Sequence, residues 1–194
     1  MADGVRSFSQ LESARGLGGG VRGDESTASK KKSREPTPSY GLIDSQSVKT
    51  QYASEDRGFD GNKKIKGRKR HIVVDTLGNL LHVQVHAANQ TDTKAGCQVL
   101  ERAAEKYPSL KSFSGDGGYR GSAVTFVETQ LGLTLQITLR MGEGFEVQPK
   151  RWIVERTLSW FGHFRRLAKD VEILTATAEN MIRIAMLKIT LAKC

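Results

Sequence analysis

The sequence predicts an α/β domain in which a mixed central sheet is flanked by helices. The sheet should start antiparallel and continue parallel. Three observations predict this. Two β-branched, apolar runs flank a polar turn between His71 and His86, the signature of an antiparallel hairpin. From Asp92 onward, helical periodicity alternates with short strand patterns, the order that yields parallel pairing. Near the C-terminus, residues 151–167 sort into an apolar and a polar arc when wound at about 100° per residue.

Taken in order, residues 1–39 read as a disordered tail rich in Gly, Ser, Arg and Lys, with Gly18-Gly19-Gly20, Lys30-Lys31-Lys32 and Pro36-Thr37-Pro38. The folded domain is expected over 40–194. Gly41 to Lys49 reads as a strand with Asp44 at its heart, a residue disfavoured in strand interiors. Either function or the end of the strand accounts for it. Arg57 to His71 is the most basic segment; with Gly58, Gly61 and Gly67 it reads as a flexible loop of phosphate-contacting cations. In the hairpin that follows, Asp75 reads as a turn residue. Asp92 reads as the N-cap of a helix running to Pro108.

A short strand then runs from Leu110 into Asp116, an acid bordered by Gly115, Gly117 and Gly118 that let a backbone or ligand approach closely. Ser122 to Leu131 reads as a helix stopped by Gly132, Leu133 to Leu139 as a half-buried strand, and Met141 to Pro149 as a loop. Residues 151–167 read as one helix. Ile153, Val154, Thr157, Leu158, Trp160, Phe161, Phe164 and Leu167 form its apolar arc, opposite Arg151, Glu155, Ser159, Gly162 and Arg166. On this helix taken alone, Arg151 and Glu155 are an i,i+4 surface pair worth only about 0.3–0.5 kcal/mol. Trp152 reads either as a contact for DNA or a partner, or as packed under a loop. Ala178 to Ala192 forms a last amphipathic helix.

Composition narrows the partner. Lys and Arg outnumber Asp and Glu by 30 to 21 in 194 residues, a net charge of +9. Basic excess of this size suggests a polyanion, most often nucleic acid. No apolar run approaches the ~20 residues that span a bilayer, and no signal-peptide pattern opens the chain. Two cysteines, Cys97 and Cys194, sit in no metal-like spacing, and the scattered His82 and His86 suggest no zinc site. The expected setting is the cytoplasm, at the nucleoid.

Asp44, Asp116 and Glu155 are the three acids whose surroundings suggest a site. Around them stand Ile43-Asp44-Ser45-Gln46-Ser47-Val48-Lys49, Gly58-Phe59-Asp60-Gly61 with Lys63-Lys64 and Gly67-Arg68-Lys69-Arg70-His71, Asp116-Gly117-Gly118-Tyr119-Arg120-Gly121, and Arg151-Trp152-Ile153-Val154-Glu155-Arg156-Thr157 with Arg165-Arg166-Leu167. Four motifs in this order resemble the DDE transposases of bacterial insertion sequences, in the group named for insertion sequence five. The resemblance covers residues 36–194.

It implies an RNase H-like fold and a transposase that cuts and joins DNA at its element's terminal inverted repeats by hydrolysis and strand transfer. Asp44, Asp116 and Glu155 would be the catalytic triad and the ligands of two metal ions. The DNA contacts would come from Lys63, Lys64, Lys66, Arg68, Lys69, Arg70, Arg151, Arg165 and Arg166. Three carboxylates without thiolate or imidazole suit Mg²⁺, or Mn²⁺ in its place, better than Zn²⁺. A homodimer on paired ends is implied as well.

Two departures stand beside the resemblance. Related enzymes often carry a Tyr seven residues before the last acid and a Lys seven after it; here those positions are Gln148 and Gly162. The tail shows no helix-turn-helix pattern ahead of Asp44. The alternative reading is therefore a truncated or degenerate copy that binds DNA without catalysis, as a remnant or repressor of transposition. A stand-alone nuclease of the same fold is a third.

Overall fold

A computed structural model of the chain describes residues 37–138 and 150–192. The expected tail, apart from its last three residues, and the expected loop 141–149 with Gln148 lie outside the described residues. The elements are β1 (Tyr40–Lys49), β2 (Gly58–Asp60), β3 (Ile65–Val74), β4 (Leu80–Ala87), α1 (Asp92–Lys106), β5 (Ser112–Gly115), α2 (Ser122–Gln130), β6 (Thr134–Ile137), α3 (Arg151–Trp160), α4 (Arg165–Ala168) and α5 (Thr175–Leu191).

β3 pairs antiparallel with β1 on one edge and with β4 on the other, and short β2 pairs with its start. β5 runs parallel to β1, and β6 parallel to β5. The order β4-β3-β1-β5-β6, antiparallel on one side of β1 and parallel on the other, is the sheet of the RNase H-like fold. The hairpin between β3 and β4 turns on Asp75, whose carboxylate accepts the backbone N–H groups of Leu77 and Asn79 at 2.8 Å each. Gly78, at φ +82°, supplies the left-handed residue of that turn.

Strand alternation divides the core into two layers. Leu42, Ile72 and Val74 face one way and pack with Ile153, Val154 and Leu158 of α3 and Ile182, Ala185 and Met186 of α5. Ile43 and Val73 face the other way and pack with Val99, Leu100 and Ala103 of α1 and Val127 of α2. Each buried aliphatic side chain of this kind contributes roughly 1.5–3 kcal/mol of transfer free energy. The α3 layer is the one that bears on function, because Asp44 shares the parity of Leu42.

Three expectations are corrected. The basic segment Arg57–His71 is not a loop: it contains β2 and most of β3, joined by a turn at 61–64. Asp92 is not the cap of α1. The Thr91 hydroxyl accepts the Lys94 N–H at 3.4 Å, and Asp92 is the helix's first residue. Residues 151–167 are not one helix. α3 tightens into a single 3₁₀ turn at Phe161–His163, and Phe164 turns to extended backbone at φ −98°, ψ 114° before α4 begins. Gly162 weakens helix propagation at the break, and buried Phe161 and Leu167 both still reach the core on either side of it.

Candidate active site

Each of the three acids is delivered by a different element. Asp44 lies mid-way along β1, opposite Ile72, with its side chain on the α3 face. Its Oδ1 accepts the backbone N–H of Ser45 at 2.7 Å. The parallel register sets Leu42 beside Ser114. Continued two residues, that register brings Asp116 level with Asp44 at the end of β5. Asp116 caps the tight turn that follows, its Oδ1 accepting the Gly118 N–H at 2.9 Å. Glu155 stands one turn into α3, above the same edge. It is held there because Ile153, Val154 and Leu158 on the helix's other side are buried against the sheet.

Arg151 ties the group together. Its Nε lies 2.9 Å from Glu155 Oε1, and a terminal guanidinium nitrogen lies 3.7 Å from Asp116 Oδ2. The i,i+4 pair expected on the helix therefore exists, but it reaches on to a strand-borne acid. The carboxyl of Asp44 is pushed up to about 6, chiefly by burial and then by the negative charge of Asp116 and Glu155. The Ser45 N–H and the Arg151 guanidinium offset part of that rise. Three acids from distant parts of the chain are thus within electrostatic reach of one another.

The donor set fits a hard divalent cation: oxygen ligands and mutual repulsion that a cation would relieve. Arg151, however, stands between Asp116 and Glu155. As placed, no three acid, His or Cys side chains among the described residues lie close enough together to enclose an ion.

The expected DNA-contacting cations divide. Lys63, Lys64, Lys66, Arg165 and Arg166 are exposed, with Arg166 paired to Glu172 at 2.5 Å rather than standing beside Glu155. Arg68, Lys69 and Arg70 are a correction. As interior residues of β3 they are buried, and each donates to groups inside the protein. Arg68 is fully enclosed, 3.1 Å from Asp170 Oδ2, and donates to the carbonyls of Glu55, Glu172 and Ile173. Arg70 donates to the Leu167 carbonyl at 2.6 Å and lies over the Phe161 ring. Lys69 lies 3.1 Å from Asp92 Oδ1 and donates to the Gln90 carbonyl at 2.9 Å. A guanidinium with no exposed surface cannot meet a phosphate.

Trp152 is neither free nor buried. It is 41% exposed, and the Arg156 guanidinium is sandwiched between it and Trp160, at 4.4 and 4.6 Å from the two ring centroids. Gly162 is exposed with open space where a side chain would begin. Sequence reading missed Ser45, whose N–H holds Asp44, and the true partners of Asp92. The adjacency of Ser45 to Asp44 was visible in the chain; the pairing of Asp92 with residues of β1 and β3 was not.

A sheet of this order, with acids mid-way along β1, just past the end of β5 and on a helix laid over them, defines a class: an RNase H-like domain with clustered acids. Residues 35–188 match the family described as the transposase DDE domain, and the chain belongs to that family, whose members cleave and transfer DNA strands and use divalent metal ions. Solved structures similar to this chain include three. The catalytic core domain of BIV integrase has a TM-score of 0.46 and 14% identity over 76% of this chain and 80% of that one. The simian T-cell lymphotropic virus intasome in complex with the PP2A regulatory subunit B56 gamma has a TM-score of 0.46 and 15% identity over 79% and 49%. The piggyBac transposase synaptic complex with hairpin DNA has a TM-score of 0.40 and 16% identity over 59% and 25%. The chain thus spans about half and a quarter of the last two. No curated protein matches it by sequence. Among the described residues no helix is long and apolar enough to cross a membrane.

Proposed function

We propose that this chain is the catalytic domain of an insertion-sequence transposase. It cuts DNA at the element's terminal inverted repeats and joins the freed ends to a target, with Asp44, Asp116 and Glu155 as its catalytic carboxylates. The observation that carries the reading is the convergence of these three acids from β1, β5 and α3, where burial first, and then the charges of Asp116 and Glu155, raise the Asp44 carboxyl above its usual range. Such crowding is costly in the free protein and is relieved by a bound cation. The same three residues would hold Mg²⁺, or Mn²⁺ in its place. Bound there, the ions would supply Lewis-acid neutralisation of the scissile phosphate and activation of water or a 3′-hydroxyl.

The chain's own residues do the rest. Asp44, kept in line by the Ser45 N–H, and Asp116, kept in line by the Gly118 N–H, present oxygens at fixed positions on adjacent parallel strands. Arg151 holds Asp116 and Glu155 together in the free protein. With a cation held by those carboxylates, the Arg151 guanidinium would be free to pair with a DNA phosphate, a role suited to its planar fork. Lys63, Lys64 and Lys66, with Arg165 and Arg166, supply exposed positive charge for the backbone of the DNA. Two copies act on paired ends.

The test is incubation of the full chain with supercoiled DNA bearing the element's ends and Mg²⁺, beside the Asp116→Ala variant. Nicking and joining by the parent and not by the variant is expected. Absence of cleavage by the parent, with DNA binding retained in both, would replace this reading with that of a non-catalytic remnant. Equal cutting of unrelated DNA would replace it with a general nuclease.

A further inference from the structure

On the opposite face of β1 from Asp44 lies a second polar cluster that the proposed chemistry does not use. The Ser45 hydroxyl donates to Asp92 Oδ1 at 2.8 Å, and the buried Lys69 ammonium lies 3.1 Å from the same oxygen. His71, fully buried, approaches it to 3.5 Å. Burial works against the Asp92 carboxylate, yet the Ser45 and Lys69 contacts hold it below its usual range, so it is an anion. The next residue, Thr93, donates its hydroxyl to the Gly118 carbonyl at 2.9 Å. The start of α1 therefore grips two places. One is the residue that holds Asp44 through its N–H; the other is the turn that holds Asp116 through its N–H.

The histidine pair shows why Asp92 must be the joint. His86 Nδ1 lies 2.9 Å from the Ala87 carbonyl and must donate to it. Its Nε2 then accepts from His71 Nδ1 at 2.8 Å. His71 is kept neutral by burial, first of all, and by His86, so its Nε2 has no proton left to give Asp92. That nitrogen is buried without a hydrogen-bond partner. The Asp92 link thus rests on Ser45 and Lys69. The Tyr119 ring cannot shift to replace it, because it is wedged where side chains of Gly96 and Gly115 would stand, 2.7 and 2.9 Å away.

We infer that Asp92 is a positioning residue. Through Ser45 it locks β1 to the start of α1, and the adjacent Thr93 locks α1 to the Asp116 turn, so that the two strand-borne carboxylates keep their placement relative to one another. The inference rests on the assignment of Asp44 and Asp116 as metal ligands. Outer partners of metal ligands are typically worth about 10- to 100-fold in affinity.

The test measures Mn²⁺ binding to the full chain, with thermal unfolding in EDTA as a parallel readout, for Asp44→Asn, Ser45→Ala, Asp92→Ala and the Ser45/Asp92 double variant. Asp44→Asn is expected to abolish the site. Ser45→Ala and Asp92→Ala should each weaken Mn²⁺ binding by about tenfold, and the double variant should weaken it little further, because both break one link. Ser45→Ala removes a single hydroxyl and keeps the inference testable should Asp92→Ala fail to fold. Unchanged Mn²⁺ affinity in folded Ser45→Ala, even with a lowered Tm, would reduce the cluster to a structural role and overturn the inference while leaving the triad intact. Unchanged binding in Asp44→Asn would overturn both.

Discussion

Replacing Asp44 with Asn should make the metal-free chain more stable while destroying its metal site. The carboxyl is moved from its ordinary 3.8 to about 6 in the folded protein, first by burial and then by Asp116 and Glu155. Its charged form is therefore less stable in the folded than in the unfolded chain, by about 3 kcal/mol at pH 7.5. The sign follows from proton counts. Between the two values the folded state binds more protons, so stability falls as pH rises through this window. The penalty is complete above about 6 and absent below the unfolded value. An Asn side chain keeps an oxygen for the Ser45 N–H and carries no charge. The expected gain is about 2–3 kcal/mol at pH 7.5, or roughly 5–10 °C in Tm for a domain of this size. It should shrink to about half at pH 5 and below about 1 kcal/mol at pH 4. Urea unfolding in EDTA at these three pH values measures it. Added Mg²⁺ should then stabilise the parent and not the variant, since binding to the folded state alone raises its stability by mass action. A variant no more stable than the parent at pH 7.5, or a difference independent of pH, would refute the claim that burial and the neighbouring acids hold the Asp44 carboxyl above its usual range.

Three further outcomes follow from the geometry. Arg68→Ala should cost about 3–5 kcal/mol in urea unfolding, because it leaves buried Asp170 and three inward carbonyls without their donor; a stable variant with weakened DNA binding would instead restore Arg68 as a surface residue that meets DNA. Changing Lys63, Lys64 and Lys66 together to Glu should leave stability within about 0.5 kcal/mol. The same change should flatten the salt dependence of DNA affinity by about one unit of log–log slope for each phosphate that these lysines neutralise, and an unchanged slope would remove this turn from the DNA path. Arg151→Ala should tighten Mn²⁺ binding by about three- to fivefold, equivalent to ~0.6–1 kcal/mol for a partly exposed pair. Weaker Mn²⁺ binding in that variant would show that the guanidinium supports the site instead of competing for it.

The legible parts of this protein were those written in local pattern. The alternation from His71 to His86 gave the hairpin, and the strand into Asp116 and the helix ended by Gly132 stand where their periodicity put them. What stayed hidden depended on partners far along the chain. Arg68, Lys69 and Arg70 look like a solvated basic run because Asp60 is the one acid in their segment. Their partners include Asp170, 102 residues from Arg68, and Asp92 at the head of α1. In β3 the alternation sends Arg68 and Arg70 under α4 and the 170–174 segment, and Lys69 and His71 toward α1. Both faces of the strand are covered, so its polar composition misstates its exposure. The helical wheel failed for a related reason: it assumes one axis from Arg151 to Leu167, and the turn at Phe161–His163 gives Arg166 a different direction and a different partner.

These errors bear on how the site is built. The cations that sequence reading assigned to DNA are, in good part, braces behind the carboxylates. Lys69 compensates Asp92 on one face of the sheet, and Arg70 fastens α4 on the other. A sheet that concentrates Asp44, Asp116 and Glu155 at one end must keep those acids from relaxing apart, since their repulsion is what an incoming cation relieves. Lys69 and Arg70 meet that need mechanically, by tying α1 and α4 to β3, the neighbour of β1. The buried arginines and lysine are thus part of the same design as the acids, although none of them can touch the DNA.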